Sequence, residues 1–469
     1  MKVRTITLLA VVAMVAAALV PGAAFAQAYT TSFTTSITYQ NVGDASSTIT
    51  IKFYEDPSDT TPISIDRPDL AAGAGTSLFI GGLTDINEGF QGSAILESSE
   101  PILATLVQLP QNSTTVRNRP LSNGFSSGGG TSLIATVLKN TFDTNSIFSV
   151  QNADTESNDV AIRFYNTSAQ LVHTINTTVQ PGGSYYVDAF QESQLGSSFN
   201  GSAVIEAERD DNSDGSIVAS AMELAIAGTA ASAFEGVPAG ATTFYMPSAL
   251  CQAFGANTAY AVQNTSLTTN TNVTVTYSNN KTETQSIGPG AKKSFLACNA
   301  SGMPTGFSGA ATITSSATPV IAIGKAYGSG LSTAFVGASS GASEVALPYV
   351  RYASDANYAA GVQQRVFITI QNIGGSAIAA GDVTVDYIDK FGDVVGTHSL
   401  GSIPAGGKVN SNAALAGLSE FGVYPDGSFG GGAIITGPDG SQLAVVARVS
   451  TQVGSGTFAS EDYNGMPVP

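Results

Sequence analysis

The sequence predicts an all-β protein made of four tandem antiparallel β-sandwich domains of the immunoglobulin-like kind. Two observations lead to this prediction. A Gln-Asn pair recurs at Gln40, Gln151, Gln263 and Gln371, and such a regular period of roughly 110 residues indicates tandem domains. Within each copy, apolar residues alternate with small or polar ones, which is typical of strands with one buried face.

The strand that ends in the Gln-Asn pair is the clearest element of each copy. Two apolar residues flank one small residue just before the pair: Ile37 and Tyr39, Phe148 and Val150, Tyr260 and Val262, Ile368 and Ile370. A second alternating strand follows a short polar turn and ends in an aromatic residue: Phe53, Phe164, Tyr277 and Tyr387. The loop between the two strands varies in length, as surface loops can at little thermodynamic cost.

A turn, a Phe-x-Gly element and a closing strand complete each copy. The turn contains glycine, which supplies the positive φ that tight turns need. The Phe-x-Gly elements begin at Phe90, Phe199, Phe307 and Phe429, and the closing strands lie at 102–107, 217–221, 320–323 and 443–446. Six or seven short strands in about 100 residues favour an antiparallel sandwich. A β-propeller or β-solenoid is the alternative, but this period is too long for a blade or a coil.

These repeats predict domains at residues 27–118, 131–228, 242–338 and 344–463. The linkers are short, and Phe234–Pro238 is one of them. Neighbouring domains are therefore expected to touch and to form a semi-rigid rod. In the first copy only the short segment 27–39 lies between Ala26 and Gln40, so we expect it to lack a leading strand and to present an open edge. The alternative is that Tyr29–Phe33 supplies enough strand.

Residues 1–26 have the pattern of a secretory signal peptide. Lys2 and Arg4 precede an apolar run, Thr5–Val20, and Ala24-Phe25-Ala26 is a small-x-small cleavage site. A membrane anchor is the weaker interpretation, because spanning needs about 20 apolar residues. No later segment is predicted to cross a membrane. The protein is therefore expected to be extracellular or held at the cell surface.

The net charge limits the classes of partner that the protein is expected to bind. Removing Lys2 and Arg4 from the 18 basic residues leaves 16 against 35 acidic ones, a net charge of −19. Nucleic acid and anionic lipid both need clustered Lys and Arg, so neither is an expected partner. The expected partners are further copies of the chain, other cell-surface proteins or glycans.

Two cysteines, Cys251 and Cys298, fall in the third copy. In an oxidising compartment an even pair within one domain predicts a disulfide. Two free buried thiols are the alternative. Because the other copies contain no cysteine, the predicted bridge reinforces one domain and is not a catalytic pair.

Asp210-Asp-Asn-Ser-Asp-Gly215 is the one stretch that suggests a metal. Oxygen-bearing side chains alternate at Asp210, Asn212 and Asp214, as in the front half of a calcium loop. The twelfth position is Ala221 instead of glutamate, which excludes the helix-loop-helix form. A plain hairpin turn, with Asp214-Gly215 as a turn dipeptide, is the preferred interpretation. No other cofactor is expected.

No catalytic residue is predicted. The two histidines, His173 and His398, lie in different copies, and no Gly-x-Ser-x-Gly or His-Glu-x-x-His motif occurs. Carboxylate pairs for glycoside hydrolysis stay open, since such pairs form in space and not in sequence. Sugar binding stays open too, although the chain has no tryptophan and Tyr185-Tyr186 is the best aromatic candidate.

Several recurring motifs carry a resemblance. They are Val-Gln-Asn, Phe-Tyr or Thr-Tyr, Pro-Gly-Gly, Gly-Phe-x-Gly-Ala and Tyr-Asn-Gly. The set resembles that of uncharacterised exported bacterial proteins built of tandem β-sandwich repeats, over nearly the whole mature chain. The resemblance implies fold and location and brings no catalytic residue. The leading hypothesis is a non-enzymatic structural protein of a surface layer, sheath or filament, and the alternative is an adhesin or glycan-binding protein.

Overall fold

A computed structural model describes residues 8–12, 31–111, 118–226, 230–328, 331–354, 361–424, 430–453 and 457–469. Within these ranges the regular structure is strand, apart from four short 3₁₀ turns. The strand pairs in these ranges are antiparallel and form eight sheets, two for each repeat. The prediction of tandem β-sandwiches is confirmed. The predicted leader other than Leu8–Val12, and the predicted Phe429, lie outside the described residues.

A common set of eight strands builds each repeat. Repeat 1 has β1 Leu8–Val12, β2 Ser32–Asn41, β3 Ser47–Tyr54, β4 Ile63–Leu70, β5 Gly75–Phe79, β6 Ser93–Ser98, β7 Ile102–Gln111 and β8 Leu121–Asn123. Repeat 2 has β9 Thr131–Lys139, β10 Thr144–Asn152, β11 Asn158–Asn166, β12 Leu171–Val179, β13 Ser184–Asp188, β14 Phe199–Arg209, β15 Ile217–Ala225 and β16 Ala231–Glu235.

The same plan continues to the end of the chain. Repeat 3 has β17 Thr243–Cys251, β18 Ala256–Asn264, β19 Thr271–Tyr277, β20 Thr282–Ile287, β21 Lys292–Leu296, β22 Phe307–Ser315, β23 Val320–Gly328 and β24 Leu331–Val336. Repeat 4 has β25 Glu344–Leu347, β26 Tyr352–Ala353, β27 Val362–Asn372, β28 Thr384–Asp389, β29 Val394–Ser399, β30 Lys408–Ser411, β31 Gly431–Thr436, β32 Leu443–Val453, β33 Thr457–Asn464 and β34 Met466–Pro467. The four 3₁₀ turns are Ile80–Gly82, Ser193–Leu195, Ala297–Asn299 and Ala413–Ala416.

One sheet of each repeat has the order fourth-third-sixth-first, and the other has the order fifth-second-seventh-eighth. In repeat 4 the two short strands β26 and β34 add to this plan. An immunoglobulin domain instead places its first, second, fifth and fourth strands in one sheet. The sequence predicted no strand order, because alternation reveals the buried face of a strand and not its neighbours in the sheet.

The cores are formed by the alternating residues. Ile49, Ile51 and Phe53 in β3 are at most 2% exposed, and the residues between them face outward. The first strands are different, because β9 is buried on both faces from Ser132 to Lys139. One face of β9 covers its own core and the other contacts β18 and β23 of repeat 3. A strand buried on both faces need not alternate, and β9 holds buried Ser132, Thr136 and Lys139 between its apolar residues.

The eighth strand extends beyond two of the predicted domain ends. The predicted limits at residues 118 and 228 leave out β8 and β16, which pair with β7 and β15. After the eighth strand, a short segment that contains a glycine crosses to the first strand of the same repeat. In repeat 2 this segment contains Gly236, and a β-bridge joins Val237 to Leu133 of the first strand. The residues interpreted as linkers after repeats 2 and 3 thus complete their own sandwich before leading to the next.

The four eighth strands meet one another. β8 contacts β16 and β33, β16 also contacts β24, and β24 contacts β33. Asn118 of repeat 1 donates hydrogen bonds to the carbonyls of Ser332 in repeat 3 and Ser460 in repeat 4, at 3.4 and 3.0 Å. Val107 and Leu121 of repeat 1 share a buried apolar cluster with the core of repeat 4.

The repeats therefore form a closed ring, and the prediction of a rod is wrong. A rod would separate repeat 1 from repeat 4, whereas these two contact each other through apolar side chains and hydrogen bonds. Head-to-tail contacts between similar units close into a ring when the rotation at each step permits it. Short linkers indicated contact between neighbours, but the angle at each contact depends on packing that the linker length does not determine.

Candidate functional site

The asparagine of each Gln-Asn pair holds two loops of its own repeat. Asn41 Nδ2 donates to the carbonyls of Ala45 and Leu70 at 2.7 and 2.9 Å, and Asn41 Oδ1 accepts from the Gly43 amide at 2.9 Å. The same bonds recur around Asn152, Asn264 and Asn372. All four side chains are buried. The asparagine is therefore a structural residue, since buried polar groups need partners.

The glutamine of the pair lies where two repeats touch. We call the contact between neighbouring repeats a joint. At the 1–2 joint, Gln151 Nε2 donates to the Gly182 carbonyl of its own repeat at 3.1 Å and to the Ala94 carbonyl of repeat 1 at 3.4 Å. Ser93 of repeat 1 donates to the same Gly182 carbonyl at 2.7 Å. Gln263, Gly290 and Ser202 repeat this arrangement at the 2–3 joint.

A tyrosine of one repeat covers the glycine turn of the next. Gly182 has φ 79°, and a Cβ there would lie 2.4 Å from the Tyr54 ring of repeat 1. Gly290 has φ 64°, and a Cβ there would lie 2.8 Å from the Tyr165 ring of repeat 2. Glycine is required twice over, for the left-handed backbone and for the close approach of the ring. Both halves of this contact belong to the recurring motifs, Phe-Tyr and the glycine turn.

The other two joints depart from this pattern. Gly406, the matching turn glycine of repeat 4, has φ 72° and no foreign atom within 4 Å of a Cβ position. At the 4–1 joint, the Gly73 turn meets the backbone of Gly392, whose oxygen would lie 3.1 Å from a Cβ on Gly73. Gly432 takes the place of Ser93 there and lies against Gln40. The 1–2 and 2–3 joints thus share one arrangement, and the 3–4 and 4–1 joints each differ from it.

The 2–3 joint contains a buried charged cluster. Lys325 Nζ of repeat 3 contacts both carboxylate oxygens of Glu223 in repeat 2 at 2.6 and 2.7 Å. Lys292 Nζ donates to Thr136 Oγ1 at 3.0 Å and is only 3% exposed. Burial, and then the neighbouring Lys325, lowers the pKa of Lys292 to about 7, and Glu223 acts weakly in the other direction. One carboxylate therefore faces two amines.

The ring centre holds polar groups from all four repeats. Asn123 Nδ2 of repeat 1 donates to the Asn464 carbonyl of repeat 4 at 2.7 Å, and the Asn123 amide donates to the Glu235 carboxylate of repeat 2. Asn464 exchanges two hydrogen bonds with the backbone of Val336 in repeat 3, at 2.8 and 2.7 Å. These four residues occupy the same position at the end of the eighth strand. The centre is therefore closed by hydrogen bonds between equivalent positions.

Two carboxyl groups beside this centre are perturbed. Glu461 accepts from the Arg119 amide, and burial raises the pKa of Glu461 to about 8. Burial also raises the pKa of Glu235. Both carboxyls accept backbone N–H groups in or next to β8, so repeats 2 and 4 each hold repeat 1. Buried perturbed groups often mark a functional site, but a structural network perturbs pKa values as well.

The predicted calcium residues lie on the hairpin between β14 and β15. Asp210, Asn212 and Asp214 are exposed, and Asn212 has φ 63°. The Asp211 carboxylate accepts from the hydroxyl and amide of Ser213, which lowers the pKa of Asp211. The turn lies at residues 210–213, and Asp214 already pairs with Glu208. Across the described residues, no group of three or more His, Cys, Asp or Glu could hold a metal ion.

The two cysteines are bonded to each other. Cys251 ends β17, Cys298 lies in a 3₁₀ turn, and their Cα atoms are 5.0 Å apart. The bridge ties the first strand of repeat 3 to the turn after its fifth strand. It therefore acts within one sandwich and does not cross a joint.

The remaining candidates are dispersed. Tyr186 packs against the apolar cluster of the 1–2 joint, and Tyr185 packs against the core of repeat 2, so the two rings do not form an open platform. His173 stacks on Phe164, and His398 bonds Ser411 Oγ at 2.8 Å in another repeat. A polar depression of about 400 Å³ lies on the outer face of β11, β12 and β14, lined by residues that include Asp159, Arg163, Asn176, Thr178, Glu206 and Glu208.

No protein-family model and no curated protein matches the chain. No helix within the described residues is long and apolar enough to cross a membrane. The class that the fold defines is a tandem β-sandwich protein whose repeats close into a ring.

The joints between repeats were not predicted from the sequence. Their residues were visible as motifs, yet each was assigned to a strand end or a turn.

Proposed function

We propose that the protein is exported after cleavage at Ala26 and acts as a non-enzymatic structural component of the cell surface, in a layer, sheath or filament. One observation carries the proposal: the recurring residues serve architecture. The four asparagines hold loops, and at the 1–2 and 2–3 joints the glutamine, the tyrosine and the turn glycine form the contact between repeats. A recurring catalytic or binding residue would instead be expected to project into a cavity.

The charge and the build of the ring add support. A net charge of −19 disfavours nucleic acid and anionic lipid as partners. Hydrogen bonds at the centre of the ring hold the four repeats together as one unit. Such a unit suits a structural role, in which it bears mechanical load or packs with other copies in a lattice.

Electron microscopy of the purified mature chain, residues 27–469, tests the proposal. We expect sheets or filaments at high protein concentration. Isolated four-lobed rings at every concentration would contradict self-assembly. The same specimens with calcium and with a chelator test Asp210, Asn212 and Asp214, because a metal-dependent lattice would dissolve in chelator.

Glycan binding is the second candidate function, and the polar depression of repeat 2 favours it. Arg163 pairs with Glu206, and Thr178 donates to Asp159 at 2.6 Å, so the walls offer several fixed donors and acceptors. Such groups bind sugar hydroxyls. A glycan array probed with wild type and with Glu206→Gln tests this function, since genuine binding to this depression should be lost in the variant.

A further inference from the structure

The sixth strand of every repeat lies between two partners. One partner is the third strand and the other is the first strand. In repeats 2 and 3 the first strand is long, Thr131–Lys139 and Thr243–Cys251, and a short turn joins it to the second strand. In repeat 1 the partner of the sixth strand is Leu8–Val12, which pairs antiparallel with Ser93–Ser98. That partner lies inside the predicted leader.

Cleavage at Ala26 would remove this partner. Only the segment 27–31 would then precede β2, whereas the first strand of repeat 2 and its turn occupy the whole segment 131–143. The mature chain is too short to rebuild the strand from its own N-terminus. Ser93–Ser98, which contains the buried core residues Ala94 and Leu96, would be left with an unpaired edge. An unpaired edge readily accepts a strand from another chain.

We infer that the mature protein binds, at Ser93–Ser98 of repeat 1, an extended apolar strand of a second polypeptide, added antiparallel to β6. This inference rests on the proposed export and cleavage. The chemistry of the donor follows from its equivalents. Leu133, Ile134 and Val137 of β9 are at most 3% exposed, because one face covers the sandwich and the other faces the next repeat. The donor is therefore expected to carry apolar residues on both faces, as β9 does, and Leu-Leu-Ala-Val-Val at residues 8–12 has that composition.

This mode of recognition adds a strand to a sheet. Main-chain hydrogen bonds supply affinity, and side-chain pockets supply specificity. The site would thus attach the ring to another polypeptide of the layer or filament proposed above.

The test uses residues 27–469 and a synthetic peptide with the sequence of Thr131–Lys139. We expect the peptide to bind, to raise the melting temperature, and to slow hydrogen exchange at least tenfold for those Ser93–Ser98 amides that point away from β3. The control peptide carries aspartate at the positions of Ile134 and Val137 and is expected to do none of these. Protection of those same amides in the monomer without peptide, or equal effects of both peptides, would overturn the inference.

A self-complemented variant provides the second measurement. Residues 131–143 are placed before Phe33, the equivalent of Thr144, so that repeat 1 carries its own first strand and turn. This variant is expected not to bind the peptide and to stay monomeric where residues 27–469 assemble. Assembly by the variant to the same extent would contradict the inference. Mass spectrometry of the exported chain tests cleavage separately: an intact leader would refute the export proposal, whatever the peptide experiment shows for residues 27–469.

Discussion

The 1–2 and 2–3 joints share their outer part and differ in their interior. Both place a tyrosine on a glycine turn and a glutamine against the sixth strand of the preceding repeat. Inside the 1–2 joint, Phe33 packs with Ile147 and Met222 in an apolar cluster. Inside the 2–3 joint, Lys325 occupies the position equivalent to Met222 and pairs with Glu223.

This comparison shows that the outer part and the interior of a joint have different roles. The shared residues set how one repeat docks on the next, and the interior determines how each joint responds to pH and salt. A buried ion pair adds little net stability over an apolar contact, because desolvation offsets the attraction. It does penalise wrong partners, since an unpaired buried charge is costly. The charged interior therefore favours docking of repeat 3 on repeat 2 over docking on any other repeat.

The largest expected effect comes from breaking the charged interior. Glu223→Ala leaves Lys325, whose side chain is 22% exposed, and the buried Lys292 without a carboxylate, and should lower the free energy of unfolding by up to about 3–5 kcal/mol. Glu206→Ala is the control, because Glu206 pairs with Arg163 at the partly exposed surface, where such pairs contribute about 0–1 kcal/mol. Urea denaturation at pH 7.5 measures both. Equal losses in the two variants would show that the cluster is not buried.

The apolar interior should behave differently. Met222 is fully buried among apolar residues, so Met222→Ala should cost about 2–5 kcal/mol through lost burial and a cavity. The loss should be the same at low and high salt, whereas the loss in Glu223→Ala should change with ionic strength. Thermal melts at two salt concentrations check this contrast. A salt-dependent loss in Met222→Ala would remove the distinction between the joints.

The pH response should come from the charged joint. Lys292, which faces Lys325, Glu223 and Thr136, has a pKa of about 7 in the folded state against 10.5 when unfolded. The folded state thus binds fewer protons between these values, so the destabilisation is complete below pH 7 and disappears as pH rises to 10.5. Lys292→Met should be more stable than wild type by up to about 5 kcal/mol at pH 6, because each pKa unit corresponds to about 1.4 kcal/mol.

That gain should shrink as the pH approaches 10. Lys293→Met is the control, because the Lys293 side chain is partly exposed next to Lys292. Its effect on the free energy of unfolding should be the same at both pH values. A gain in Lys292→Met that does not change between pH 6 and pH 10 would show that Lys292 stays charged in the joint.

The smallest expected effect tests the contact that the 1–2 and 2–3 joints share, in which a tyrosine covers a glycine turn. Gly182→Ala and Gly406→Ala both force a side chain into a left-handed turn. Only Gly182 faces a ring of the preceding repeat, so its variant should lose about 1–3 kcal/mol more through steric overlap with Tyr54. Equal losses in the two variants, measured by thermal unfolding, would mean that Tyr54 does not cover the turn.

The strands were predictable and the joints were not. Alternation identified the Ile49-Ile51-Phe53 strand because its period reports a local property. The eighth strand Ala231–Glu235 was missed because its small residues show no such contrast. Tyr54 and Gly182 each satisfied a local interpretation, so their contact between two repeats left no further signal. Likewise Glu223, Lys292 and Lys325 are single charges in separate strands, and only the fold brings them together.

Small-angle X-ray scattering of the monomer of residues 27–469 tests the closed ring most directly. Four sandwiches in a ring should give a radius of gyration of about 25 Å, close to the ~22 Å of a compact chain of this length. Four sandwiches end to end, each about 35 Å long, would give about 40 Å. The smaller radius would support contact between repeats 1 and 4, and the larger radius would contradict the ring.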